Sequence, residues 1–118
     1  MAFGEGLGLD VSACARVSCA FGGGISHMGL TCGAVTGALM AIGLRYGGSP
    51  EMKEHTYEVA NEFVERFTSL HGSTNCTELI GYDLSNPEEL AQAREKVIFA
   101  VKCVNYVKDA VRIAEELL

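Results

Sequence analysis

The sequence has no cluster of basic residues. Its nine lysines and arginines are scattered over 118 residues, and the formal net charge is −6 at pH 7. Proteins that bind nucleic acid or anionic membranes need clustered lysine and arginine to contact phosphate groups. The sequence therefore argues against both kinds of partner.

A long hydrophobic run is also missing. The most apolar stretch covers only residues 32–44, whereas a membrane-spanning helix needs about 20 apolar residues. The first ten residues have neither the basic segment nor the apolar segment of a signal peptide. We therefore expect a cytoplasmic protein without a membrane partner.

Familiar nucleotide and dithiol motifs are absent as well. The triple glycine at 22–24 is not followed by GK[ST], and no GxGxxG follows a predicted strand. The five cysteines include no CxxC pair, so any shared thiol site must be assembled from distant segments. Their odd number and the missing export signal argue against a secreted disulfide framework. Buried filler, redox thiols and metal or cluster ligands remain as roles for them.

No segment alternates apolar and polar residues with the period of a strand. Helical spacing and cap signals instead predict an all-α fold, a compact bundle of five to six helices in a single domain over residues 1–118. The predicted helices cover residues 10–21, 32–46, 50–70, 73–81 and 87–118. The last one is long for a small domain, so we expect a break between Val97 and Lys102.

The helix at 32–46 is apolar on nearly all sides, which predicts a central, buried position. Gly33, Gly37 and Ala41 recur every four residues and form a stripe of small side chains. Such a stripe allows another helix to pack closely. On that interpretation, leucine at position 37 would overpack the core.

Three cysteines are candidates for a shared site. Cys32 follows the candidate N-cap Thr31 and is expected in the first helical turn, where the helix dipole lowers a thiol pKa. We expect it to be the most reactive thiol. Cys76 follows a second cap signal, at Ser73 or Thr74. Cys103 lies at or just after the expected break, where it is expected to open the last helix. Because all three thiols are expected at helix starts, we expect them to converge in one site.

The remaining cysteines and the glycine loop have less specific patterns. Cys14 and Cys19 lie on an amphipathic helix and are expected to be core filler. Gly22, Gly23, Gly24 and Gly33 are candidate cofactor-binding residues, because exposed backbone N–H groups bind anions or cluster sulfides. The alternative is that the loop only allows helices to approach closely. His27 is a candidate further ligand, whereas His71 and Asp109 are expected at the solvent face.

Several motifs resemble one known family. The stretches "FGGGISHMGLTCGAVTGALMAIGLRYG", "NCTELIGYDL" and "CVNYVKDAVRIAEELL" are similar to the C-GCAxxG-C-C family, which is named for suspected redox activity. The CGAxxG signature is matched by Cys32, Gly33, Ala34 and Gly37, and the later family cysteines by Cys76 and Cys103. The family usually carries a further cysteine in an N-terminal helix; this chain starts after that point, which leaves three thiols.

Three functions follow as hypotheses. The first is a redox protein that uses Cys32, Cys76 and Cys103 for thiol/disulfide chemistry or electron transfer, with an unknown redox partner. The second is an iron–sulfur or metal protein in which the same cysteines are ligands. The third is a non-catalytic helical interaction module. The apolar stripes and the small size also suggest a homodimer.

Overall fold

A computed structural model describes residues 2–118, which form six right-handed α-helices and no extended β-strand. The all-α class is therefore confirmed. The helices are α1, Val11–Ser18; α2, Gly33–Tyr46; α3, Lys53–His71; α4, Cys76–Ile80; α5, Pro87–Glu95; and α6, Val104–Leu117. Within these residues, no helix is both long enough and apolar enough to cross a membrane.

Short polar side chains determine where two of these helices begin. The Asn86 side chain accepts hydrogen bonds from the backbone N–H groups of Glu88 and Glu89, and Pro87 fills the first position of α5. Helix α4 begins in the same way, because the Asn75 side chain accepts from the N–H of Glu78. The sequence analysis predicted this cap at Ser73 or Thr74, one or two residues before the observed cap residue Asn75.

The expected break in the C-terminal helical segment is confirmed. Val97 has a φ of 54°, a left-handed conformation that is unusual for a β-branched residue. A π-helical turn, Phe99–Cys103, follows and continues directly into α6. Cys103 therefore lies inside a continuous helical segment, and the expectation that it sits at a helix start is wrong.

The hydrophobic core lies where α2 packs against α3 and α6. Its largest fully buried side chains include Ile42, Phe63 and Phe67. Helix α4 contributes the buried side chains of Leu79 and Ile80 to this core. The short helix that carries Cys76 is therefore anchored by apolar contacts rather than by its own length.

Within residues 2–118, one face of α2 is left open, although the sequence predicted a central, buried helix. Val35 and Ile42 point into the core, but Gly37 and Gly43 line an open apolar groove of about 580 Å³. A Cβ atom added to either glycine would meet nothing within 4 Å. Close approach occurs only at Gly33, where an added Cβ would lie 3.3 Å from the Phe21 carbonyl oxygen. The overpacking expected for leucine at position 37 thus loses its basis.

Gly37→Ala is instead expected to raise the free energy of unfolding by about 0.4–1 kcal/mol, because alanine restricts the unfolded chain and the groove has room for its methyl group. Urea unfolding of both proteins measures the difference. A loss of stability on this substitution would contradict the open groove.

Candidate thiol site

Cys32 and Cys76 lie on two paired backbone segments. Thr31 and Asn75 form an isolated antiparallel bridge, and each cysteine directly follows one of these two residues. Residues next to a bridged pair point to the opposite side of the ribbon from that pair. The two cysteine side chains therefore share one side, as diagonal neighbours whose Cα atoms are typically about 7–8 Å apart.

Two backbone hydrogen bonds fix this arrangement. The N–H of Cys32 donates to the Thr74 carbonyl at 2.8 Å, and the N–H of Cys76 donates to the Leu30 carbonyl at 2.5 Å. Cys32 is the N-cap residue of α2, with extended backbone angles, rather than part of the first helical turn. Its N–H is already bonded across the bridge, so it is not one of the free N–H groups that the sequence suggested.

Burial and mutual repulsion perturb two of the three thiols. Cys76 is only 6% exposed, and its pKa is raised from 9.0 to about 11, first by burial and then by the negative charges of Cys32 and Cys103. The pKa of Cys103 is raised by burial and then by the charge of Cys32. The positive end of the five-residue helix α4 does not offset the burial of Cys76. The structure thus brings the three candidate thiols into one neighbourhood.

The other two cysteines lie apart from this neighbourhood. Cys14 is buried beside the groove, as expected, with its sulfur 3.7 Å from the Leu9 carbonyl oxygen. Cys19 is exposed, so its assignment as core filler is wrong. Neither thiol is among the charges that act on Cys76 or Cys103.

Tyr106 is a site residue that the sequence reasoning missed. Its hydroxyl group donates a hydrogen bond to the Leu79 carbonyl, in the last turn of α4. The pKa of Tyr106 is raised by burial and then by the charges of Cys103, Cys32 and Cys76. Its position one turn after Cys103 was the only signal in the sequence.

A partly buried histidine, His71, packs behind Tyr106. The two rings meet edge to face, with centroids 4.9 Å apart. His71 Nε2 lies 3.0 Å from Asp109 Oδ2, and the two side chains are only 15% and 23% exposed. Among the described residues, the Nε2 atom makes no well-aligned hydrogen bond despite this short distance. The expectation that both residues face solvent is wrong.

The triple glycine opens a left-handed turn beside Cys76. Every residue from Gly23 to His27 has a positive φ, including the β-branched Ile25. Gly24 is buried, and a Cβ atom added to it would lie 2.6 Å from Cys76 Cβ. The turn therefore packs directly on a candidate thiol. The cofactor-binding role suggested for Gly22, Gly23, Gly24 and Gly33 stays a prediction.

The hypothesis of a metal site depends on how the possible ligand side chains are placed. All five cysteines are free thiols. Within residues 2–118, no three cysteine, histidine, aspartate or glutamate side chains are placed so that they could hold one metal ion. The exposed His27 packs against Gly23. The described residues therefore present no preformed set of ligands for the metal hypothesis.

The fold and the site define an all-helical protein in which three free thiols lie in or against the hydrophobic core. The chain belongs to the family described as "Putative redox-active protein (C_GCAxxG_C_C)", whose pattern matches residues 1–117. The resemblance found in the sequence is thereby confirmed. No curated protein and no solved structure matches the chain.

Proposed function

We propose that this chain is a thiol–disulfide redox protein in which Cys32 and Cys76 alternate between a dithiol and a disulfide. The observation that carries the proposal is the bridge between Thr31 and Asn75, because it holds the two cysteines as diagonal neighbours on one side of the ribbon. The membership of a redox-active family supports the same chemistry.

The different exposures of Cys32 and Cys76 favour a reaction in which the substrate disulfide meets Cys32 first. Cys32 is partly exposed, whereas Cys76 is buried, so an incoming disulfide reaches Cys32 first. The Cys32 thiolate attacks one sulfur of the substrate R–S–S–R′, and R′–S⁻ leaves and takes up a proton. The deprotonated Cys76 then attacks the Cys32 sulfur and releases R–S⁻, which is protonated in turn. Two protein thiols are oxidised, and one disulfide is reduced to two thiols.

The spacing typical of diagonal neighbours, about 7–8 Å between Cα atoms, is close to the upper limit for a disulfide, about 7 Å. A disulfide between Cys32 and Cys76 would therefore need only a small approach of the two segments. Cys103 supplies a third thiol next to the pair, and its charge acts on Cys76.

Incubating the reduced protein with oxidised glutathione, followed by peptide mapping, tests the proposal. We expect a Cys32–Cys76 disulfide in the wild type and in Cys103→Ala. Cys32→Ala and Cys76→Ala should abolish it. Cys19→Ser is the matched control and should leave it unchanged, because Cys19 is exposed and its charge does not act on Cys76. A protein whose only disulfides involve Cys14 or Cys19, or which forms none, would contradict the proposed function.

A further inference from the structure

Tyr106 connects the segments that carry Cys76 and Cys103. It lies one turn after Cys103 in the same continuous helical segment. Its hydroxyl group donates a hydrogen bond to the carbonyl of Leu79, which is three residues after Cys76 on α4. One side chain thus joins the helix of Cys76 to the segment of Cys103.

The phenol ring is held in place from behind. Phe67 and His71, both on α3, lie with ring centroids 6.3 Å and 4.9 Å from that of Tyr106. His71 in turn lies 3.0 Å from the carboxylate of Asp109, which is one turn further along α6. These contacts leave the ring little freedom and aim its hydroxyl group at α4.

We propose that Tyr106 is a positioning residue whose hydrogen bond to Leu79 holds the helix of Cys76 against Cys103, so that the three thiols remain one site. This inference rests on the proposed function only where it concerns the disulfide. The charges of Cys103, Cys32 and Cys76 all act on Tyr106, which supports a position of the phenol close to the three thiols.

The chain contains a matched control for this contact. The Tyr46 hydroxyl group also donates to a backbone carbonyl, that of Leu117, at 2.7 Å in a partly buried setting. Tyr46→Phe and Tyr106→Phe each remove one such hydrogen bond and keep the ring. Both variants should therefore fold and lose similar stability, but only Tyr106→Phe removes a contact to the helix of Cys76.

Two measurements separate the variants. The first is the rate at which iodoacetamide alkylates Cys76, followed as a function of pH. Tyr106→Phe should raise this rate about threefold to tenfold, a factor corresponding to one lost hydrogen bond. The second is the equilibrium constant of the Cys32–Cys76 disulfide with glutathione, which should fall by a similar factor. Tyr46→Phe should change neither quantity by more than about twofold.

Equal effects of the two variants on Cys76, or no effect of Tyr106→Phe on its alkylation, would overturn the positioning role. The proposed function and the positioning role of Tyr106 are tested by different measurements. If the wild-type protein forms no disulfide with glutathione, the proposed function is wrong, and the alkylation of Cys76 still decides whether Tyr106 positions this thiol.

Discussion

Replacing Gly24 with alanine is expected to lower the free energy of unfolding by about 2–5 kcal/mol. Gly24 has a φ of +66°, and an added Cβ would lie 2.6 Å from Cys76 Cβ and 2.7 Å from the backbone nitrogen of Leu30. The left-handed conformation costs an alanine about 1–2 kcal/mol. The backbone neighbour cannot rotate away, so overpacking adds about 1–3 kcal/mol.

Gly22→Ala is the matched control for this substitution. Gly22 has extended angles, φ −65° and ψ 151°, and a Cβ added there would meet nothing within 4 Å. Its unfolding free energy should change by no more than about 0.5 kcal/mol. Urea unfolding measures both variants. Equal stability of the two would show that the left-handed turn does not press on Cys76.

The distinction between these two glycines also shows what the sequence could and could not predict. Three glycines in a row indicated an irregular segment, and that was correct. Only the structure shows that the segment turns left-handed through His27 and that its middle glycine lies against Cys76. The need for glycine at position 24 arises from a tertiary contact 52 residues away in sequence.

The helices were predictable where the signal is local. The sequence Asn86–Pro87–Glu88 predicted the start of α5, because a cap, a proline and an acid act within one turn. The break near Val97 was predictable in the same way. The beginning of α2 was displaced by one residue, because the backbone of Cys32 pairs with Thr74, a partner that no local pattern indicates.

For the candidate site, the sequence reasoning selected the thiols and missed most of their surroundings. The motifs selected Cys32, Cys76 and Cys103, and the charges of these thiols act on one another in the structure. The prediction of thiol pKa values was less successful, because it considered the helix dipoles and left out the burial that raises the pKa of Cys76. His71 looked solvated at the end of α3, yet residues of α6, Tyr106 and Asp109, cover it.

The pH dependence of Cys76 alkylation is the prediction with the largest expected effect on a rate. Only the thiolate reacts, and burial together with two charged neighbours raises the pKa of Cys76 from 9.0 to about 11. Each pKa unit changes the thiolate fraction tenfold below the midpoint, so at neutral pH Cys76 should hold about 100-fold less thiolate than an ordinary cysteine. The alkylation rate should rise with pH and reach half its maximum near pH 11.

Substitutions of the neighbouring thiols separate the causes of this shift. Cys32→Ser and Cys103→Ser each remove one repelling charge, so each should lower the midpoint for Cys76. The midpoint should nevertheless stay above 9.0, because burial is the largest cause. Cys19→Ser removes an exposed thiol that does not act on Cys76, and it should leave the midpoint unchanged. A wild-type midpoint at or below 9.0 would contradict the buried site.

If the midpoint is high, the step in which Cys76 resolves the mixed disulfide should accelerate as the pH rises toward that value, because the attacking sulfur must first lose its proton.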